Sequence, residues 1–448
     1  MAEYFEPGDA RGPAIPYRAL ASSFFADAAD RTQKLIPFLG AGASLGPRAP
    51  WHEPAAHPPD SDQSDKAIGE LGFSGTARKF MQMAICLAAK IQAAEEANNS
   101  GNARGPDPVA LAKQAKYPPS ATELAAALAY LSSYDGFERP RQRLGGLITA
   151  EDKEVVALLR WLAELTEIGS AVPPLLSVAS YYEFTLQRTQ LWGDLKAIFE
   201  NKKTPTRTHW LIARAAEHFL ALRPRKDYLA ITTNYDRLQE IAFEKVGVPY
   251  CVLTVASADQ HVDVRFSPGM REYLDLSENE FASLKEEHAG KYPKAFTLDL
   301  PKRVAIVYKL HGCLFPERAN RDSVILSDED YIRYLLQMND SSSGMVPGEI
   351  TKLTSGPAFL FLGYSFSDWN VRGIYKTMVK QRTMQQRQEV KDFAVVREFS
   401  VYESAFCREG NGRIHLLVTN LNRFARRMLT SAPKRPARAN KKAVGTGA

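Results

Sequence analysis

Short apolar runs alternate with helical stripes along much of the chain. Leu35-Ile36-Pro37-Phe38-Leu39 is an apolar run that stops abruptly at Gly-Ala-Gly-Ala-Ser. That is the pattern of a buried strand feeding a glycine turn and a helix, with Pro37 weakening the first residues of the strand. Before it, Leu20, Phe24, Phe25 and Ala28 share one face and predict a helix over 17–33. From about residue 226 strand-like runs recur at Tyr228–Thr232, Tyr250–Val255, 303–310, 358–364, 393–397 and 413–418, mostly separated by helical segments. Apolar runs bounded in this way predict an α/β fold, a Rossmann-like parallel sheet with helices on both faces.

The stretch 52–170 breaks this rhythm. Polar, Pro-rich residues 51–66 and the Asn, Gly and Pro clusters of 98–120 separate Ala- and Leu-rich helical patterns at 80–94, 122–133 and 151–167. They predict a mostly helical insertion with an exposed loop. Further helices are expected over 175–200 and 209–222. The first 15 residues read as an irregular lead-in, and 277–294 and 339–348 as loop-flanked excursions. The expected organisation is therefore a first strand and glycine turn in 1–51, the insertion in 52–170, the rest of the core in 171–430, and a basic tail in 431–448.

Composition narrows the classes. The 448 residues are 45% hydrophobic and 24% charged, a globular mixture long enough to bury a core without disulfides. Cys86, Cys251, Cys313 and Cys407 form no C-x-x-C pair, which excludes a zinc ribbon and a disulfide framework and fits a reducing compartment. No metal site is expected. The net charge is +6, and Lys434, Arg435, Arg438, Lys441 and Lys442 supply +5 of it. The remainder is near neutral, so no nucleic-acid-coating surface is demanded. The tail reads as disordered and solubilising, with contact to nucleic acid as the alternative. No signal-peptide pattern opens the chain and no apolar run approaches the ~20 residues of a membrane span, so a soluble, cytoplasmic protein is expected.

Four constellations carry candidate chemistry. Gly40-Ala41-Gly42-Ala43-Ser44 offers backbone approach and helix N–H groups to a pyrophosphate. Its spacing, G-x-G-x-x-x-G ending at Gly46, departs from the G-x-G-x-x-G fingerprint, and a plain glycine turn is the alternative. Thr232-Thr233-Asn234-Tyr235-Asp236 puts polar side chains at a strand's carboxyl end, where open α/β sheets bind ligands; a helix cap by Asn234 or Asp236 is the competing reading. Tyr308-Lys309-Leu310-His311-Gly312 ends a strand in an imidazole suited to general-base work, or in a core histidine. His52, His57, His261 and His288 lie in loop-like or polar stretches instead. Gly363-Tyr364-Ser365-Phe366-Ser367-Asp368 offers close packing at Gly363 and polar groups at Ser365 and Asp368, or a capped turn.

Taken together and in this order, the four motifs resemble the sirtuin-like NAD-binding superfamily, and within it the sirtuin-like NADases of bacterial antiphage defence systems, including the type paired with a HerA-type ATPase. The resemblance covers roughly 17–51 and 171–420. It departs from the deacylating sirtuins, whose four-cysteine zinc module and Gly-Ile-Pro-Asp-Phe-Arg segment have no counterpart here. It implies NAD as substrate and water as acceptor, giving ADP-ribose and nicotinamide. Asn234 would hold the ribose or the attacking water, and His311 would be the general base. Asp236 would bond the nicotinamide carboxamide, and Gly40, Ala41, Gly42 and Ser44 would hold the pyrophosphate. Thr233, Gly363, Ser365 and Asp368 would complete the nucleotide site. It also implies gating through a homo-oligomer or a partner, a HerA-type ATPase or an Argonaute-like protein, with 52–170 as the candidate surface. A non-catalytic NAD or ADP-ribose scaffold and a protein deacylase are the alternatives.

Overall fold

The structure, a computed structural model, describes residues 3–25, 33–44, 180, 188–200, 204–222, 226–255, 261–315, 323–339, 346–364, 366, 371–373, 375, 376, 378, 391–412 and 414–433. The helical insertion predicted over 52–170 lies outside them, as does the tail from 434 onward. The chain divides into two compact units, one of 1–68, 202–324 and 335–448, the other of 69–201 and 325–334.

The elements in chain order are β1 (Glu3–Phe5), α1 (Tyr17–Phe25), β2 (Leu35–Leu39), a 3-10 turn (Ala41–Ser44), α2 (Arg188–Glu200), α3 (Arg207–Leu222), β3 (Tyr228–Thr232), α4 (Leu238–Val246), β4 (Tyr250–Val255) and β5 (Val262–Phe266). They continue as α5 (Met270–Leu274), α6 (Glu278–His288), β6 (Ala305–Lys309), α7 (Asp328–Asn339), α8 (Gly348–Thr354), β7 (Ala358–Leu362), β8 (Asp392–Val396), α9 (Val401–Gly412), β9 (Ile414–Val418) and α10 (Leu421–Thr430). Among the described residues the strands form one sheet in the order β1-β9-β8-β7-β2-β3-β6-β4-β5. All neighbours are parallel except β4 and β5. The fold is α/β and Rossmann-like.

Alternation along each strand sorts the core into two layers. Leu35, Leu39, Ala230, Val307, Leu360, Val395 and Leu417 face a cluster built from α1, α3, α4 and α10, with Trp210, Phe219, Phe243, Phe424 and Met428 at its centre. The intervening residues face the other side, where aromatic rings interlock. Phe38 lies 5.0 Å from Phe361 between ring centroids, Phe361 lies 5.4 Å from Phe366, and Phe366 lies 6.0 Å from Phe406 of α9. Both faces are covered, which is why the strands read as unbroken apolar runs rather than alternating ones.

Pro37 has a definite consequence. β2 pairs with β7 along its whole length, but with β3 only at Phe38 and Leu39. Proline has no N–H to give the ladder, and the side chain of Gln33 fills the gap. Its Nε2 donates to Leu35 O and Leu229 O at 3.0 and 2.9 Å, and its Oε1 accepts from Leu229 N at 2.9 Å. Here Gln33 serves as a strand residue would. The helix predicted over 17–33 is described only as α1, and 26–32 lie outside the described residues.

Several sequence expectations need correction. The irregular lead-in contains β1, which pairs with β9 at the sheet edge. The edge strand β5 is antiparallel and was not anticipated, since Val262–Phe266 alternates apolar with charged residues. The loop-flanked excursion expected at 277–294 is consistent with the structure, where it holds α6, opened by a capping box between Ser277 and Glu280. His288, expected in a polar stretch, is fully buried: Nδ1 donates to Leu284 O at 2.8 Å and Nε2 accepts from Asp299 N at 3.2 Å.

Gln33→Ala strands two buried carbonyls and one buried N–H in the middle of the sheet. The expected loss of stability is at least about 3 kcal/mol, at about 1–3 kcal/mol for each of the three unsatisfied groups, measured by denaturant unfolding. A loss below about 0.5 kcal/mol would show that water substitutes for the amide.

Candidate active site

The carboxyl ends of four neighbouring strands, β7, β2, β3 and β6, run directly into the four sequence motifs. From β2 the chain proceeds to β3 on one side, and later adds β7 on the other. The ends of β2 and β7 therefore flank the switch point where open α/β sheets place their ligands.

Backbone crowding sets the geometry there. Gly40 N donates to Leu362 O at 2.9 Å. A Cβ on Gly40 would lie 2.7 Å from Gly363 O and 2.9 Å from the Tyr364 ring. Gly363 itself has φ +80°, a left-handed conformation that suits glycine. Next door, the carbonyl of Leu39 accepts from Thr233 N at 3.1 Å, Thr232 Oγ1 at 3.2 Å and Tyr364 OH at 2.8 Å. Thr233 Oγ1 lies 2.8 Å from the Tyr364 hydroxyl. The tyrosine proton is committed to Leu39, so Thr233 is the donor in that contact.

Asn234 is held through its amide nitrogen. Nδ2 donates to Gly40 O and to Ser44 Oγ, each at 3.0 Å, and its backbone N donates to Thr232 Oγ1 at 3.0 Å. These bonds engage both protons of Nδ2. Ser44, only 2% exposed, passes the chain of bonds on: its hydroxyl donates to Asp236 Oδ2 at 2.5 Å. Asp236 Oδ1 accepts from Leu238 N at 2.9 Å and so starts α4. The helix-cap reading of Asp236 thus holds in part. Ser44, Thr233 and Asp236, expected to contact nucleotide, all bond within the protein: Ser44 links Asn234 to Asp236, while Thr233 bonds to Leu39 O and the Tyr364 hydroxyl. Ala43 N donates to Gly40 O at 2.9 Å and Ala43 O accepts from Thr206 Oγ1 at 2.8 Å, so Gly40, Ala41 and Gly42 belong to a braced turn. Ser365 and Asp368 lie outside the described residues.

His311 follows β6 as Asn234 follows β3. Thr232 pairs with Lys309 in register, so both side chains sit two residues beyond a matched pair on adjacent strands. The Tyr235 and His311 rings are 6.4 Å apart. Gly312 then turns with φ +79°, and a Cβ there would fall 1.8 Å from Ser323 O. Only glycine fits. His311 is half-buried as a residue but its Nε2 is enclosed, and loss of hydration pushes its pKa from 6.5 down to about 4. It is a neutral imidazole at physiological pH, less basic than its sequence position suggests.

Three charged side chains beneath the site were not anticipated. Lys309 and Glu240, both 1% exposed, pair at 3.0 Å, and Arg265 of β5 reaches the same Glu240 Oε1 at 3.1 Å. Burial pushes the Glu240 carboxyl up, but the charges of Lys309 and Arg265 outweigh it and leave its pKa lowered. The Lys309 ammonium also donates to the Asp236 carbonyl. The available signal was a lysine next to the last apolar residues of a strand otherwise free of charge, but its partner lies 69 positions earlier.

Among the described residues no group of three or more His, Cys, Asp or Glu side chains is placed to hold a metal, and no helix is long and apolar enough to cross a membrane. Residues 228–412 match the family model of the SIR2-like domain. That segment is similar to the SIR2-like family. It spans the Asn234, His311 and Gly363 motifs, while the Gly40 turn precedes it. No curated protein matches the chain. SIR2-like domains are NAD-dependent enzymes; in this chain the Asn234 amide is bonded to the glycine turn at the switch point, and His311 follows the strand next to that of Asn234.

The His311 shift makes stability depend on pH. In the unfolded chain the imidazole takes its proton near pH 6.5, in the folded protein near 4. Between those values the unfolded state binds more protons, so this contribution to stability is complete above about 6.5 and is lost as pH falls toward 4. His311→Asn should therefore show a smaller drop in unfolding midpoint between pH 7 and 5 than the parent. Equal drops would mean that the ring protonates freely when folded.

Proposed function

We propose that the protein is an NAD hydrolase that cleaves the nicotinamide–ribose bond, releasing ADP-ribose and nicotinamide. The observation that carries this reading is a braced Asn234, bonded to the Gly40 turn, and a neutral His311 that follow the ends of adjacent strands. The SIR2-like match supports the nucleotide class.

In this reading Asn234 presents Oδ1 to a ribose hydroxyl or to the attacking water. Water oxygen bonds to the anomeric carbon as the bond to the nicotinamide nitrogen breaks; the leaving nicotinamide is neutral and needs no proton. His311 accepts the proton the water releases, directly or through a ribose hydroxyl, a contribution of about 10²–10⁴-fold for such groups. Asp236 already carries two bonds within the protein, so its part is to hold the loop, with a carboxamide contact left to its remaining lone pairs. Ser365 and Asp368 stay candidates for the adenosine side.

Unrestrained NAD hydrolysis would harm the host cell, so the activity is gated. By the resemblance to antiphage effectors, the gate is a homo-oligomer or a HerA-type ATPase or Argonaute-like partner, with 52–170 as its surface. The low basicity of His311 favours one competing reading, a scaffold that binds NAD or ADP-ribose without turnover.

The full chain, alone and with a candidate partner, should convert NAD to ADP-ribose and nicotinamide in a chromatographic assay. Asn234→Ala and His311→Ala should each lose about 10²-fold or more. Parent-like rates in both variants would remove the assignment, and tight NAD binding without turnover would select the scaffold.

The pH profile gives a separate check. Protonation disables a base, so kcat/KM should fall only as pH drops through about 4 and stay flat from about 5 to 8. An acid limb centred near 6.5 would exclude His311, in its present surroundings, as the base.

A further inference from the structure

We propose that Lys309 is a positioning residue for Asn234, acting through residues 234–236 and held in place by Glu240 and Arg265. The inference rests on the NAD-hydrolase reading above.

Lys309 stands on the same face of β6 as Ala305 and Val307, the face covered by α3 and α4. A lysine there loses its hydration, a cost that only good partners offset. Its partners are unevenly placed. Glu240 Oε1, on α4, takes the ammonium at 3.0 Å and is braced by Arg265 from β5 at 3.1 Å. A further proton goes to the backbone carbonyl of Asp236, which is not a charge partner. The cluster therefore ties a strand, a helix and an edge strand to one peptide unit in the loop between β3 and α4.

That loop, 233–237, is five residues long, and its parts are fixed differently. The Asp236 side chain is held by Ser44 and Leu238 N, its carbonyl by Lys309, and the Asn234 amide by Gly40 O and Ser44. Removing Lys309 frees the carbonyl inside an apolar layer, where it has to turn to find another donor. The peptide between Asp236 and Arg237 would rotate, the Ser44 bond would lengthen, and Nδ2 of Asn234 would lose an acceptor. The glycine turn is braced independently through Ala43 and Thr206, so nucleotide affinity should change far less than the orientation of the amide. A side chain that acts through another leaves a signature: its loss adds nothing once that other side chain is gone.

The test compares Lys309→Met, Asn234→Ala and the double variant of the full chain under conditions in which the parent hydrolyses NAD. Lys309→Met should lower kcat about ten- to hundredfold, the size of effect a 1 Å misplacement produces, with KM within about threefold. The double variant should be no slower than Asn234→Ala by more than about twofold. Glu240→Gln, which keeps an acceptor for the ammonium, should fall between the parent and Lys309→Met. A parent-like kcat in Lys309→Met, or losses that multiply in the double variant, would overturn the proposal. If Lys309→Met does not fold, Glu240→Ala takes its place with the same expected non-additivity.

If the parent has no NAD hydrolase activity, the functional reading fails and the positioning claim is judged by amide hydrogen exchange. Lys309→Met should then speed exchange at residues 233–238 at least about tenfold relative to the sheet. Unchanged protection there would overturn it.

Discussion

The site depends on how closely two strands can leave the sheet side by side. β2 and β7 are neighbours, and the backbones following them pass within reach of a single missing Cβ at Gly40. Because Gly40 can still donate to Leu362, the ladder continues one residue past the strand before the 3-10 turn begins. The carbonyl of Leu39 is thereby left facing β3 and Tyr364, and three donors from two different motifs converge on it. Remove the close approach and the turn, the Thr232-Thr233 pair and Tyr364 lose their common point.

From that point a directional chain of hydrogen bonds runs outward. Asn234 donates to Ser44, Ser44 donates to Asp236, and Asp236 receives the first N–H of α4 while its carbonyl receives Lys309. Each group satisfies its neighbour, which is the condition under which a buried polar network rigidifies rather than destabilises a fold. The arrangement orients the Asn234 amide before any ligand arrives. Preorganisation of this kind is what the proposed hydrolysis would need, since a bound water cannot itself hold the geometry.

The sheet and its motif-bearing ends were legible from pattern alone. Runs such as Ala358–Leu362 could be assigned because both faces are buried, and the polar residues after them had to lie at a strand end. β1 and β5 were not legible: three residues next to prolines and glycines, and an alternating Val-Asp-Val-Arg-Phe, look like loops until their pairing with β9 and β4 is known. His288 failed for a related reason. Its polar neighbours lie on the solvent face of α6, and only the packing of 296–299 against the helix end shows that the ring is enclosed.

The sequence by itself determined the kind of chemistry available: which strands end in glycine, amide, acid and imidazole, and in what order. These are local properties, set by the two-residue period of a strand and by the φ values glycine permits. Only the tertiary structure decided what those groups do to one another. It placed β7 beside β2 across more than 300 residues, turned Ser44 and Asp236 inward to hold Asn234, lowered the basicity of His311, and joined Lys309 to Glu240 and Arg265. Partners across a sheet and the loss of hydration around a side chain are non-local quantities, and no window of sequence contains them.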